Sequence, residues 1–152
     1  MRVYLVRHGQ AVAPQVDSSL PLSDEGRNDI EHVARTLANM NVKLTAIYHS
    51  GKLRAEETAM ILAAALETGE AIQTSGLAPD DDPEEAIELI DTSEGDIMLV
   101  GHLPLMDRLL RALVKPGEDD ELPEFGTGTL VAVEPAEDGW QIFRALGPHM
   151  IW

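Results

Sequence analysis

The first nine residues constrain the fold more than any other part of the chain. Val3-Tyr4-Leu5-Val6 is a run of strand formers with no polar alternation, as expected of a central strand covered on both faces, and it stops at Arg7-His8-Gly9. A buried strand ending in a cation, an imidazole and a glycine predicts an open α/β sheet with a site at the carboxyl ends of its strands. Gly9 is expected to let the chain turn sharply and to leave its backbone N–H open to an anion. Arg7, His8 and Gly9 together read as an anion-binding corner.

The rest of the chain alternates in the way such a sheet requires. Ser23 is a candidate N-cap followed by the acidic Asp24 and Glu25, and Ile30, Val33, Ala34 and Leu37 recur at helical spacing as far as about Met40. Leu44 to Tyr48 reads as a second strand, Lys52 to Leu66 as a second helix, and Ala71 to Thr74 as a short strand. Asp82 and Pro83 supply the cap and first position of a third helix running through Asp91. Ile97-Met98-Leu99-Val100 then repeats the opening arrangement, a continuous apolar run that delivers Gly101-His102. Leu105 to Val114 is a fourth helix, and Thr129 to Val133 and Trp140 to Ala145 form a hairpin around Asp138-Gly139. This order predicts a three-layer α/β/α fold with a mostly parallel central sheet and a C-terminal antiparallel hairpin. The 152 residues, 44% of them hydrophobic, are enough for one domain with a core over residues 1–152.

Composition narrows the function. With 27 acidic against 11 basic residues, a formal charge of -16, the chain should repel nucleic acid and anionic membrane surfaces. It has no apolar stretch of spanning length and no basic segment leading into a hydrophobic leader, so a cytoplasmic protein without membrane contact is expected. The absence of cysteine removes disulfides, thiolate nucleophiles and cysteine metal sites. No His/Asp/Glu spacing compels a metal, and no cofactor is expected. A phosphate site in such a chain must be a local positive island.

Two histidines that each end an apolar strand, together with Arg7 and Arg54, are what phosphoryl transfer without a metal would need. Arginine offers a permanently charged planar fork that matches phosphate oxygens. A neutral imidazole nitrogen can attack phosphorus near neutral pH. Arg7 and His8 therefore suit clamp and nucleophile.

Four blocks carry a resemblance: Leu5-Val6-Arg7-His8-Gly9-Gln10-Ala11; Pro21-Leu22-Ser23-x-x-Gly26-Arg27; Ser50-x-x-x-Arg54-Ala55-x-x-Thr58-Ala59; and Val100-Gly101-His102-Leu103-Pro104. In this order they resemble the histidine phosphatase superfamily, and within it the small SixA-type phosphohistidine phosphatases. The resemblance implies a phosphoglycerate-mutase-like fold in which His8 accepts the phosphoryl group while Arg7, Arg54 and His102 bind its oxygens, with Gly9 letting the backbone approach. It implies two steps, in-line attack by His8 and hydrolysis of the phosphohistidine by water, with His102 acting as a donor. Larger members place a carboxylic acid in the loop after the third strand, where this chain has Asp80, Asp81 and Asp82. Asp82 best fits the SixA-type pattern as acid/base, and reads equally well as a helix N-cap.

That loop is also too short for the helical insertion that covers the site in phosphoglycerate mutases. An open pocket implies a phosphorylated protein as substrate, such as a histidine phosphotransfer domain. A phosphomonoesterase for small molecules and a protein that binds phosphorylated ligands without turnover stay open as alternatives. Ser50 reads as an N-cap or a donor to Arg54, His49 as a structural residue beside it, His32 as exposed on a helix, and His149 as a tail residue without a partner. The chain departs from the small-family pattern at Gly51, where proline is common, and at Glu57, where glutamine is frequent. The first change is expected to loosen the start of the Arg54 helix and the second to add negative charge one turn from the clamp.

Overall fold

The computed structural model describes residues 1–151. Its elements follow in the order β1 (Val3–Arg7), α1 (Asp24–Asn39), β2 (Ala46–His49), α2 (Leu53–Leu66), β3 (Ile72–Gln73), α3 (Pro83–Thr92), β4 (Ile97–Gly101), α4 (Leu105–Val114), β5 (Leu130–Ala136), β6 (Gly139–Gly147) and β7 (Met150–Ile151). They build one seven-stranded sheet in the order β3-β2-β4-β1-β5-β6-β7. Strands β1 to β4 are parallel, while β5, β6 and β7 each pair antiparallel with the strand before them in the sheet.

The two-residue period of a strand explains the layers. Val3 and Leu5 of β1, Ile97 and Leu99 of β4, and Val131 and Val133 of β5 enter one core with Ile90 of α3 and Leu109 of α4. The alternating partners Tyr4, Val6, Met98, Val100, Leu130 and Ala132 enter a second core with Ile30, Val33 and Leu37 of α1 and Leu62 of α2. Both faces of the central strands are therefore dry, which is why β1 and β4 carry no polar alternation.

The register then sets up the site. Arg7 pairs with Gly101 at the ends of β1 and β4, and the His8 N–H donates to the Gly101 carbonyl at 3.1 Å. Strands that lie far apart in sequence thus deliver His8 and His102 to adjacent positions on one edge of the sheet. Between β1 and β2 the chain crosses over β4, so this edge is also where the strand order reverses, the usual place for a ligand crevice.

Two helix starts behave as their residues predict. The Ser23 hydroxyl accepts the Gly26 N–H at 2.9 Å, and Asp82 accepts the Glu84 N–H at 2.9 Å with Pro83 in the first turn. The Ser23 motif has a second task. Its N–H donates to the Gln10 carbonyl, and a methyl group added at Gly26 would lie 2.0 Å from that oxygen. Gly26 therefore lets α1 lie directly against the segment that follows His8.

Candidate active site

His8 and His102 are 8% and 2% exposed, with ring centroids 4.9 Å apart and planes tilted by 51°. The Nδ1 of His8 lies 2.7 Å from the Gly9 carbonyl. A carbonyl can only accept, so Nδ1 carries the proton and Nε2 keeps its lone pair in the neutral ring. Burial, reinforced by the charges of Arg54 and Arg7 against a counteracting hydrogen bond to Gly9, pushes the His8 pKa down to about 4. Near neutral pH this is the tautomer and charge state that can attack phosphorus.

His102 is held from the other side. Its Nε2 lies 2.7 Å from the Ser50 hydroxyl, and that hydroxyl also accepts the Lys52 N–H at 3.3 Å. Where Ser50 gives its own proton to Nε2, the proton of a neutral His102 sits on Nδ1. That Nδ1 is buried and has no partner among the described residues. Burial first, then the charges of His8, Arg54, Lys52 and Arg7, lower the His102 pKa to about 3. His102 thus offers a neutral N–H donor.

Both imidazoles refuse protons that the unfolded chain, near the ordinary 6.5, would accept. Their contribution to stability is complete above pH 6.5 and drains away as the pH falls toward about 4 for His8 and about 3 for His102. We expect imidazole NMR titration to give midpoints near those values. The wild type should also lose stability relative to a His102→Gln variant as the pH is lowered from 6.5. A midpoint near 6 for either ring would contradict this account.

Arg7 ends β1 with Nη1 donating to the Phe125 carbonyl at 2.9 Å, and its buried Nε has no partner among the described residues. The turn that follows Phe125 secures the strand end, since the Gly128 N–H donates to the carbonyls of Arg7 and His8 at 3.1 and 3.0 Å. Arg54, in the first turn of α2, makes no side-chain hydrogen bond or ion pair among the described residues. Arg2, Arg27 and Arg111 each hold a carboxylate. In a chain with such an excess of acid, two arginines without a carboxylate beside two neutral histidines form the positive island that the charge balance demanded. A phosphoryl dianion is the ligand this set fits.

Several expectations need correction. The Gly9 N–H is not open to an anion, because it donates to the Thr58 hydroxyl at 3.1 Å. Glycine is required there for another reason: a methyl group would lie 2.8 Å from Ile30 Cγ1 and 3.1 Å from Leu22 Cδ2, so it permits the approach of α1. Asp82 is exposed and caps α3, and the surface depression it lines with Glu84, Glu88 and Asp91 includes none of His8, His102, Arg7 and Arg54. Asp81 closes its own turn by accepting the Ala78 N–H. Ser50 serves His102 rather than Arg54, and Lys52 occupies the N-cap of α2. His149 has a partner, with Nε2 lying 3.6 Å from Asp29.

The two departures from the family pattern also find local explanations. Gly51 has φ +91°, unreachable for proline, and its N–H donates to His49 Nδ1 at 3.1 Å. The turn is held by a buried histidine rather than left loose. Glu57 accepts the Leu22 N–H at 2.8 Å and pairs with Arg27 at 3.0 Å, so its charge is spent on fastening α2 to the start of α1. Residues overlooked in the sequence are Lys52, whose charge reaches His102, and Thr58, whose place in a motif block was the only sign of it.

Comparison with known proteins agrees with this geometry. Residues 3–78 match the histidine phosphatase superfamily (branch 1). The chain is 29% identical over 159 residues to phosphohistidine phosphatase SixA of Escherichia coli (strain K12), covering 93% of each. Among solved structures it superposes on protein histidine phosphatase SixA complexed with tungstate with a TM-score of 0.84 at 24% identity, covering 97% of both chains. A putative phosphohistidine phosphatase SixA from Agrobacterium tumefaciens gives a TM-score of 0.78 at 26% identity over 97% of both chains. With the match running through both arginines and the first histidine, and the fold setting the second beside them, the chain belongs to the histidine phosphatase superfamily, branch 1.

Proposed function

We propose that this phosphatase removes phosphoryl groups from phosphohistidine on a protein, without a metal, by way of a phosphohistidine formed on His8. The observation that carries the reading is the His8 ring itself, neutral, with Nδ1 tied to the Gly9 carbonyl, beside two arginines that hold no carboxylate. In the first step the Nε2 lone pair attacks phosphorus in line and the bond to the leaving nitrogen breaks. Arg7, Arg54 and the Nδ1–H of His102 hold the equatorial oxygens, so catalysis is mainly positioning and electrostatic stabilisation. In the second step water attacks the phosphorus on His8, releasing phosphate and restoring Nε2.

The position of Asp82 supports this substrate class. An imidazole leaving group needs less acid assistance than an alkoxide, so a site whose favoured carboxylate caps a helix suits a P–N bond better than a phosphoester. Asp82→Ala should therefore leave hydrolysis of a histidine-phosphorylated protein near the wild-type rate while lowering stability by about 1 kcal/mol, the worth of an N-cap. A general acid at this position would instead cost about 100- to 10,000-fold in rate.

The direct test compares kcat/KM on a histidine-phosphorylated carrier domain with that on p-nitrophenyl phosphate, in buffer containing a chelator. We expect release from the carrier to be strongly favoured and indifferent to the chelator. A preference for the small ester would point to the phosphomonoesterase. Phosphate that stays on His8 without turnover would point to the binding protein.

A further inference from the structure

We propose that Thr58 is the positioning residue of this site, the tether that holds the His8 loop and the Arg54 helix in one geometry. The inference rests on the reading of His8 as the nucleophile and Arg54 as a clamp. Thr58 is fully buried on α2, one turn beyond Arg54. Its hydroxyl donates to the Arg54 carbonyl at 2.7 Å and accepts the Gly9 N–H at 3.1 Å. The Gly9 carbonyl in turn accepts the proton of His8 Nδ1. One hydroxyl therefore connects the backbone of the clamp to the glycine whose carbonyl fixes the nucleophile's tautomer.

Glycine makes that tether necessary. Packing against Ile30 and Leu22 excludes a side chain at position 9, and a residue without Cβ has the widest range of φ and ψ of any in the chain. The His8 ring is oriented by a carbonyl on one side of the Gly9 Cα, while the N–H on the other side lies beyond the last β1–β4 and β1–β5 pairs. The carbonyl of the His8–Gly9 peptide is held by the Gly128 N–H at 3.0 Å; its N–H needs an external acceptor, and Thr58 supplies it. The hydroxyl is itself oriented by the bond one helical turn back to Arg54, a common habit of threonine in helices. Its lone pair is thereby aimed outward from α2.

A threonine that only filled the core would behave differently from a tether, and two substitutions separate the two. Thr58→Val keeps the shape and removes both hydrogen bonds; Thr58→Ser keeps the bonds and removes a methyl group. We expect Thr58→Val to lower kcat on p-nitrophenyl phosphate by about 10- to 100-fold, the scale of a small misplacement of reacting groups, with a smaller change in KM. Thr58→Ser should restore most of the rate. Imidazole 15N NMR should show His8 as the single Nδ1–H tautomer in the wild type and in Thr58→Ser, and as a mixture in Thr58→Val. A Val variant with the wild-type rate and tautomer, or a Ser variant as slow as Val, would overturn the proposal.

Hydrogen exchange on the unaltered protein gives an answer that does not depend on how the variants fold. The Gly9 amide should be protected to the level of the strand amides, and exchange as fast as an open loop would overturn the tether. If the wild type forms no phosphohistidine on His8, the reading of the nucleophile fails, while the tautomer and exchange measurements still decide whether Thr58 anchors the loop.

Discussion

Substituting alanine for His8 is expected to abolish phosphate release and, with it, any phosphorylated form of the enzyme. The ring contributes the only bond that the first step makes, so no residual path through Arg7, Arg54 and His102 can replace it; these groups stabilise charge but do not accept the phosphoryl group. Rapid quench with a labelled histidine-phosphorylated substrate, followed by phosphoamino-acid analysis at alkaline pH, checks both parts of the claim. Turnover that persists in His8→Ala, or label found on another side chain, would dismiss the covalent route. The loss should not be attributable to unfolding, because the variant removes an imidazole held by one hydrogen bond among the described residues, and far-UV circular dichroism should match the wild type.

The second large effect separates the two arginines. Arg54→Ala should lower kcat/KM by about 100- to 1,000-fold, the usual cost of one charge-stabilising donor. Because its guanidinium holds no partner among the described residues, its removal should leave the melting temperature unchanged or slightly raised, since a cation near another cation is also relieved. Arg7→Ala should cost comparable activity and also stability, since it strands the Phe125 carbonyl that Arg7 satisfies at 2.9 Å. Equal losses of stability in both variants would mean that Arg54 has a structural task that its contacts do not reveal.

Much of this fold was legible because the sequence repeats one device. Two apolar runs without polar alternation required burial on both faces, and they occupy neighbouring central positions in the sheet. Helix α4 has the expected limits, Leu105–Val114, since its stripe is regular and the breaks on both sides are sharp. The hairpin was underestimated for a physical reason. Strand β5 runs on through Glu134, Pro135 and Ala136, where its outer edge has passed beyond the β1 partners Val3 to Val6; a proline is tolerated there because that edge needs no donor.

The site was legible only in part. Arg7, His8, Arg54 and His102 stand at element ends, where residue type and position carry the signal together. The use of Gly9 was not legible, because its reason lies in Ile30 and Thr58, brought up by helices whose contact with the loop no local pattern encodes. Asp82 shows the converse difficulty. A carboxylate before a proline satisfies a cap and an acid equally well on paper; the hydrogen bond from the Glu84 N–H establishes the cap, and the rate of Asp82→Ala decides the acid.

The place of β1 in the sheet bears on when the activity can appear. The strand that carries Arg7 and His8 is made first, yet its two neighbours, β4 and β5, lie in the later part of the chain. A nascent chain displays its nucleophile long before it has His102 beside it or the Phe125 carbonyl to orient the clamp. Pairings of such long sequence separation are slow to form and come late in folding. The dry pocket that keeps His8 neutral therefore cannot exist before β4 and β5 have docked on β1, and phosphatase activity reports on that late step.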